Sequence, residues 1–300
     1  MNKTALALVI AAVCVGALLS GEYSVYVFAP ERPTRIAFVG DMMFDRTMRT
    51  IAEREGYEYL LSCTRDYLRG FDMAVGNLEG PITAHPSVSQ GKKPGEPDNT
   101  RFTFDFAVAA ALADAGFGAV SLGNNHIYDF GREGIDSTAS ALDTVGLLHF
   151  GAPGKGDVVT TTVNGLQLAF VAFNQFVGAA NPVITETFIR DVRTTADFVT
   201  VYAHWGDEYE AENEYQRALA RRFIDAGADI VIGSHPHVVQ GHEVYKGKHI
   251  YYSLGNFIFD QYWEEAVRTG LVVEVSIDQG EVSVSERIID IARTGLSCLR

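Results

Sequence analysis

The chain has 300 residues, 47% hydrophobic and 21% charged, which is enough for one large buried core or two small ones. A formal net charge of −14 excludes a general nucleic-acid binder, which needs a basic face against phosphates. Three widely separated cysteines (Cys14, Cys63 and Cys298) exclude a dense disulfide framework and a CxxC zinc site, and leave a single Cys63–Cys298 bond open.

In chain order, residues 1–22 come first: Lys3, then an uncharged run from Thr4 to Gly21. That length fits a signal peptide or a short signal anchor. Leu19 is a poor match for cleavage after Gly21, and Val13 before Cys14 argues against a lipoprotein site. The segment therefore reads as a retained anchor, with a cleaved signal as the alternative. Residues 23–34, with Pro30 and Pro33, are a linker, and 35–300 form the body. The body is expected outside the cytoplasm, tethered to the cell membrane or secreted.

From Arg35 one pattern recurs: a short apolar run, then a turn of small and polar residues. RIAFV (35–39) leads into GDMMFDR, DMAV (72–75) into GNLEG, and FGAVSL (117–122) into GNNHIYDFG. LAFVAF (168–173) leads into NQ, FVTVYA (198–203) into HWGDEY, DIVI (229–232) into GSHPH, and HIYYSL (249–254) into GNF. Between these strands, residues 44–69, 107–116, 134–146 and 213–227 are helical by spacing and each stops at or just before a glycine. Alternating strands and helices predict an α/β sheet that is at least partly parallel. Residues 86–100 are a long polar loop. After Gly270, alternation around DQG predicts a β-hairpin. No internal repeat or domain boundary is visible.

Ligands of open α/β sheets collect at the carboxyl ends of the strands. Asp41, Glu79, Asn125, His126, His204, His235 and His237 all fall there. A lone imidazole has many structural uses, but an HxH pair together with GNNH and HWG in the same topological position points to a metal. Mixed oxygen and imidazole donors suit zinc, manganese, iron or nickel better than calcium or magnesium. His85, His149, His242 and His249 lack that position and read as surface or supporting residues. Trp205 and Phe257 read as packing.

GDMMFDR, NLEGPIT, SLGNNHIYDFG, HWGDEY, GADIVIGSHPHVVQG and YYSLGNFIFDQ, in this order over residues 35–262, resemble the CapA family. These are bacterial capsule and poly-γ-glutamate synthesis proteins within the calcineurin-like metallophosphoesterase superfamily. The resemblance implies a four-layer α/β/β/α sandwich holding one or two divalent transition-metal ions, such as Mn, Zn or Fe. It implies Asp41 and His237 on a first metal, Glu79 bridging, and Asn125, His204 and His235 on a second. His126 would serve the leaving group. Arg46 would meet a carboxylate or phosphate. Asn77, Asp129, Asn256 and Asp260 would orient ligands. Beside the long loop, the charges of Arg101, Lys92 and Lys93 read as guides for an anionic substrate, against an ordinary solvated loop, which exposed charge favours for the two lysines. The implied partner is an anionic envelope polymer such as poly-γ-glutamate, with other capsule-synthesis proteins and no nucleic acid. The implied role is a metal-dependent hydrolase or transferase, against a non-catalytic export or assembly component or a generic metallophosphoesterase. Met43 stands where the superfamily carries a histidine, and a thioether is a poor ligand for a hard dication.

Overall fold

A computed structural model describes residues 32–93, 95–176 and 181–300. The anchor expected over 1–22 and the linker up to residue 31 lie outside the described residues. Among the described residues, no helix is long and apolar enough to cross a membrane.

Two sheets form the centre. In the first, β1 (Thr34–Met42), β2 (Met73–Leu78), β3 (Phe117–Ser121) and β4 (Leu148–Phe150) are parallel neighbours. Beyond β1 the sheet continues antiparallel through β12 (Thr269–Asp278), β13 (Glu281–Ile291) and β14 (Ser297–Leu299). Short β11 (Asn256–Ile258) pairs with the end of β1. The second sheet runs β5 (Val158–Val163), β6 (Leu166–Asn174), β7 (Phe198–His204), β8 (Ile230–Ser234), β10 (Lys248–Tyr251), β9 (His242–Tyr245), and is parallel from β6 to β10.

The layering follows from side-chain alternation along a strand. On β1, Ile36 and Phe38 join Phe170, Tyr202 and Ile232 in the core between the sheets. Ala37 and Val39 face the opposite way, into a core shared with α1 (Arg46–Glu55), α3 (Ala107–Asp114) and α4 (Gly131–Thr144). Val171, Val199 and Val231 of the second sheet pack on α5 (Pro182–Arg193) and α6 (Glu214–Ala226). The result is the four-layer α/β/β/α sandwich. Trp205 and Phe257 are fully buried, each worth about 1.5–3 kcal/mol of hydrophobic stabilisation or more.

The helix expected over 44–69 is instead broken. Gly56, at φ +97°, ends α1, a 3₁₀ turn covers Tyr57–Leu61, and a one-turn α2 (Arg65–Leu68) follows. Helix α5 was not foreseen, because Val183, Ile184, Thr185 and Thr187 give it the composition of a strand. Its start is nevertheless encoded: the Asn181 side chain accepts from Val183 N, and Pro182 occupies the first turn. The hairpin at DQG is present, with Asp278 opposite Glu281 and positive φ at Gln279 and Gly280. Cys63 and Cys298 form a disulfide with a Cα–Cα distance of 5.0 Å, tying the segment before α2 to the edge strand β14.

Candidate metal centre

Strand register gathers the chemistry. Asp41 sits opposite Asn77 on one side and Asn256 on the other, and Asn77 sits opposite Ser121. In the second sheet His204 sits opposite Ser234, one residue before His235. Gly40 lets the strand end close up on β11: a Cβ there would lie 1.9 Å from the Gly255 carbonyl oxygen, which accepts from Asp41 N at 3.0 Å. Past β8, the HPH turn holds His235 at φ +98° and His237 at φ +59°. Non-glycine residues pay of order 1–3 kcal/mol for such backbone, strain typical of sites whose side chains must be aimed.

Asp41 and Glu79 are both fully buried. Asn77 joins them, its Nδ2 donating to Asp41 Oδ1 at 2.8 Å and to Glu79 Oε2 at 3.1 Å. His235 N donates to Asp41 Oδ2 at 3.0 Å. Burial alone would raise the Asp41 carboxyl, but His237, Asn77 and the His235 amide outweigh it and hold its pKa below the usual value. Glu79 goes the other way: burial, then the charge of Asp41, push it well up. Burial, reinforced by the neighbouring histidines, lowers His204, and burial followed by His237 lowers His235 to about 4. The latter two imidazoles are thus neutral at pH 7, as metal binding requires.

One contact lacks a donor. His237 Nδ1 pairs with Asn256 Oδ1 at 2.9 Å, while the Asn256 amide donates to Val267 O and Gln261 Oε1, so Nδ1 carries the proton. The free His237 Nε2 stands 3.5 Å from Glu79 Oε1. That oxygen is buried without a hydrogen-bond partner among the described residues, as is His235 Nδ1. Two acceptors facing each other need a shared cation or a proton. Asp41, Glu79 and His237 each offer a ligand atom, all within 4.8 Å of one another. The donor set therefore fits a divalent metal.

The second group lies alongside. Asn125 Oδ1 is 2.8 Å from His204 Nε2, His204 Nδ1 is 3.0 Å from Ser234 Oγ, and the His204 and His235 rings are 4.8 Å apart. An adjoining cavity of about 220 Å³ is lined by Arg46, Phe102, His126, Tyr209, His237 and Phe259, among others. His126 Nδ1 pairs with Asp129 Oδ2 at 2.9 Å, leaving Nε2 free. Arg46 pairs with Asp260 and lies over the Phe102 and Phe259 rings. Its Nε is buried without a partner among the described residues. Arg101 packs on Phe130 and donates to the Asp129 carbonyl, bracing the GNNH turn. Lys92 and Lys93 are exposed on the long loop. Met43 is fully buried in the helix-side core, its sulfur accepting from Asp45 N, so this position offers no ligand.

Sequence reasoning missed two supports. Asn124, beside the chosen Asn125, is fully buried and donates to Asn77 Oδ1 and Leu78 O. Asp45 accepts from Arg46 N, Arg49 Nε, Ser87 Oγ and Thr103 N, pinning both ends of the long loop beneath α1. Only the placement of Asp45 just before a helix hinted at a cap.

The sandwich and its rim of acids, amides and imidazoles define a protein of the metallophosphoesterase-type fold. A putative 5'-nucleotidase from Staphylococcus aureus, solved with alpha-ketoglutarate, shares the architecture at TM-score 0.51 and 15% identity, over 89% of this chain and 54% of that one. The chain belongs to the family described as bacterial capsule synthesis protein PGA_cap, whose family model matches residues 35–261. It is 33% identical to the PGA biosynthesis protein CapA of Bacillus subtilis (strain 168) over 79% of this chain and 66% of that one. It is 34% identical to the capsule biosynthesis protein CapA of Bacillus anthracis over 79% of this chain and 62% of that one. The match thus spans a little under two thirds of the length of these relatives.

Proposed function

We propose that this chain acts at the cell envelope on an anionic polymer of the poly-γ-glutamate class, as a metal-dependent hydrolase or transferase. The observation that carries the reading is the unbridged pair His237 Nε2 and Glu79 Oε1 within a buried acid cluster. Asp41, Glu79 and His237 would hold one transition-metal ion, of the Mn, Zn or Fe kind, and Asn125, His204 and His235 a second beside it. Such ions polarise a carbonyl or phosphoryl oxygen and make water acidic enough to supply a nucleophile at neutral pH. His126, held through Nδ1 by Asp129, would as the imidazolium give its Nε2 proton to the leaving group and be left neutral. Arg46, set by Asp260, orients a carboxylate or phosphate of the substrate. Phe102, Phe259 and Tyr209 restrict water on the cavity walls.

The names of the relatives support the polymer and a role among other capsule-synthesis proteins. The Cys63–Cys298 bond supports a body outside the cytoplasm, where disulfides persist, with residues 1–22 as membrane anchor or signal. A second reading, a non-catalytic export or assembly component, is favoured by buried Met43, which removes an imidazole from the first metal position.

Turnover separates them. The metal-loaded chain is incubated with poly-γ-glutamate and, separately, with a generic phosphodiester. Polymer cleavage that His126→Ala abolishes supports the main reading. Binding without cleavage of either supports the assembly role, and phosphodiester turnover alone supports a plain phosphoesterase.

A further inference from the structure

Resting on the reading that the rim holds metal, we propose that Glu208 is a further metal ligand, supplying on the open side a donor that the Met43 position lacks. A carboxylate oxygen of Glu208 and one ring nitrogen each of His235 and His237 all lie within 4.8 Å of one another. Donors about 2.0–2.2 Å from one ion stand roughly 3–4.5 Å apart, so Glu208 stands within coordinating reach of an ion on His237 or of one on His235. One of the two imidazoles, His235, is nine-tenths or more buried and has its Nδ1 without a partner among the described residues.

The position of Glu208 is built. Its neighbour Tyr209 donates from its backbone N to the carbonyl of Pro236, the residue between the two histidines, at 2.8 Å. Tyr209 does so at φ +65°, which costs a bulky residue free energy. Its hydroxyl accepts from Gln261 Nε2 at 3.0 Å, and Gln240 Nε2 donates to Glu210 O at 2.9 Å. Immediately after Glu208, the loop that follows β7 is thereby fastened to the HPH turn through Tyr209 and to Gln261 and Gln240 beyond it. An exposed glutamate that only solvated the surface would need no such fixing.

The chemistry shifts with it. Glu208 joins Asp41, Glu79 and Asn125 as oxygen donors beside three imidazoles, which moves the centre toward manganese or ferrous iron and away from zinc. Glu208 also lines the cavity with Arg46 and His126, so it stands where substrate arrives.

The test is a Mn²⁺ titration of the full chain, with Co²⁺ absorption as a coordination readout. It compares wild type, Glu208→Gln, Glu210→Gln and the double variant His235→Ala/His237→Ala. Losing even an outer-shell partner costs about 10–100-fold in affinity. Glu208→Gln is therefore expected to weaken Mn²⁺ by about tenfold or more and to change the Co²⁺ spectrum, while Glu210→Gln, which makes the same charge change two residues away, matches wild type. Wild-type affinity and spectrum in Glu208→Gln, or equal weakening in Glu210→Gln, overturns the Glu208 assignment while the metal centre stands. Wild type that takes no metal, or a double variant that keeps it all, removes the centre and the assignment together.

Discussion

His237 donates from Nδ1 to Asn256 Oδ1 at 2.9 Å, and Asn256 in turn is locked by its own donation to Val267 O at 2.9 Å. A residue in β11 thus decides which nitrogen of a β8-turn histidine is free to face Glu79. Such partners set the tautomer and basicity of a metal-binding imidazole. Asn256→Ala is expected to lower metal affinity by about 10–100-fold and to cost ~1–3 kcal/mol through unpaired buried groups. Asn256→Asp keeps the acceptor and should retain more of the affinity. Metal titrations and melting curves check both.

Glu79 carries a stability cost that a cation or a proton relieves. Burial and Asp41 raise its pKa well above the usual value. For such a group the favourable contribution is complete below the unfolded pKa and is lost as pH rises through the folded one. Metal-free protein at neutral pH is therefore penalised by this side chain. Glu79→Gln is expected to raise the melting midpoint of metal-free protein, by ~2 °C or more for each kcal/mol relieved, while abolishing the gain on adding metal. A midpoint that falls in metal-free buffer would contradict this.

His235 has the opposite sign. Burial, then the charge of His237, lower its pKa to about 4 from an ordinary value of 6.5. The unfolded chain binds the proton more tightly, so stability is present above pH 6.5 and drains away as pH falls toward 4. Over that window metal-free wild type should lose up to roughly 3 kcal/mol relative to His235→Gln. Denaturant unfolding of both proteins along a pH series measures the difference; parallel curves would refute it.

The Cys63–Cys298 bond closes a loop across a sequence separation of 235 residues. Constraining the unfolded chain over that length stabilises by up to about 5 kcal/mol in the chain-entropy description. Dithiothreitol is expected to lower the melting midpoint of wild type and to leave that of the double variant Cys63→Ser/Cys298→Ser unchanged. An equal midpoint with and without reductant would mean the bond contributes nothing.

Much of the architecture was legible because buried parallel strands leave continuous apolar runs. Each run before a polar turn became a strand of one of the two sheets, and the residues after the runs share one rim. What stayed hidden depends on three dimensions. Helix α5 has strand-like composition and is helical because Ile189 packs against the second sheet. Edge strands β4, β11 and β14 have only three residues each and exist through their neighbours. Asn125 could be chosen by resemblance, but that Asn124 braces Asn77 needed the fold. That Arg101 packs on Phe130 and donates to the Asp129 carbonyl also needed the fold.

The most direct measurement is an anomalous-scattering map from crystals of the metal-loaded body, paired with elemental analysis of the same protein. A transition-metal peak coordinated by Asp41, Glu79 and His237 is the predicted result. Stoichiometrically metal-free protein, or a peak away from these three side chains, would contradict the account.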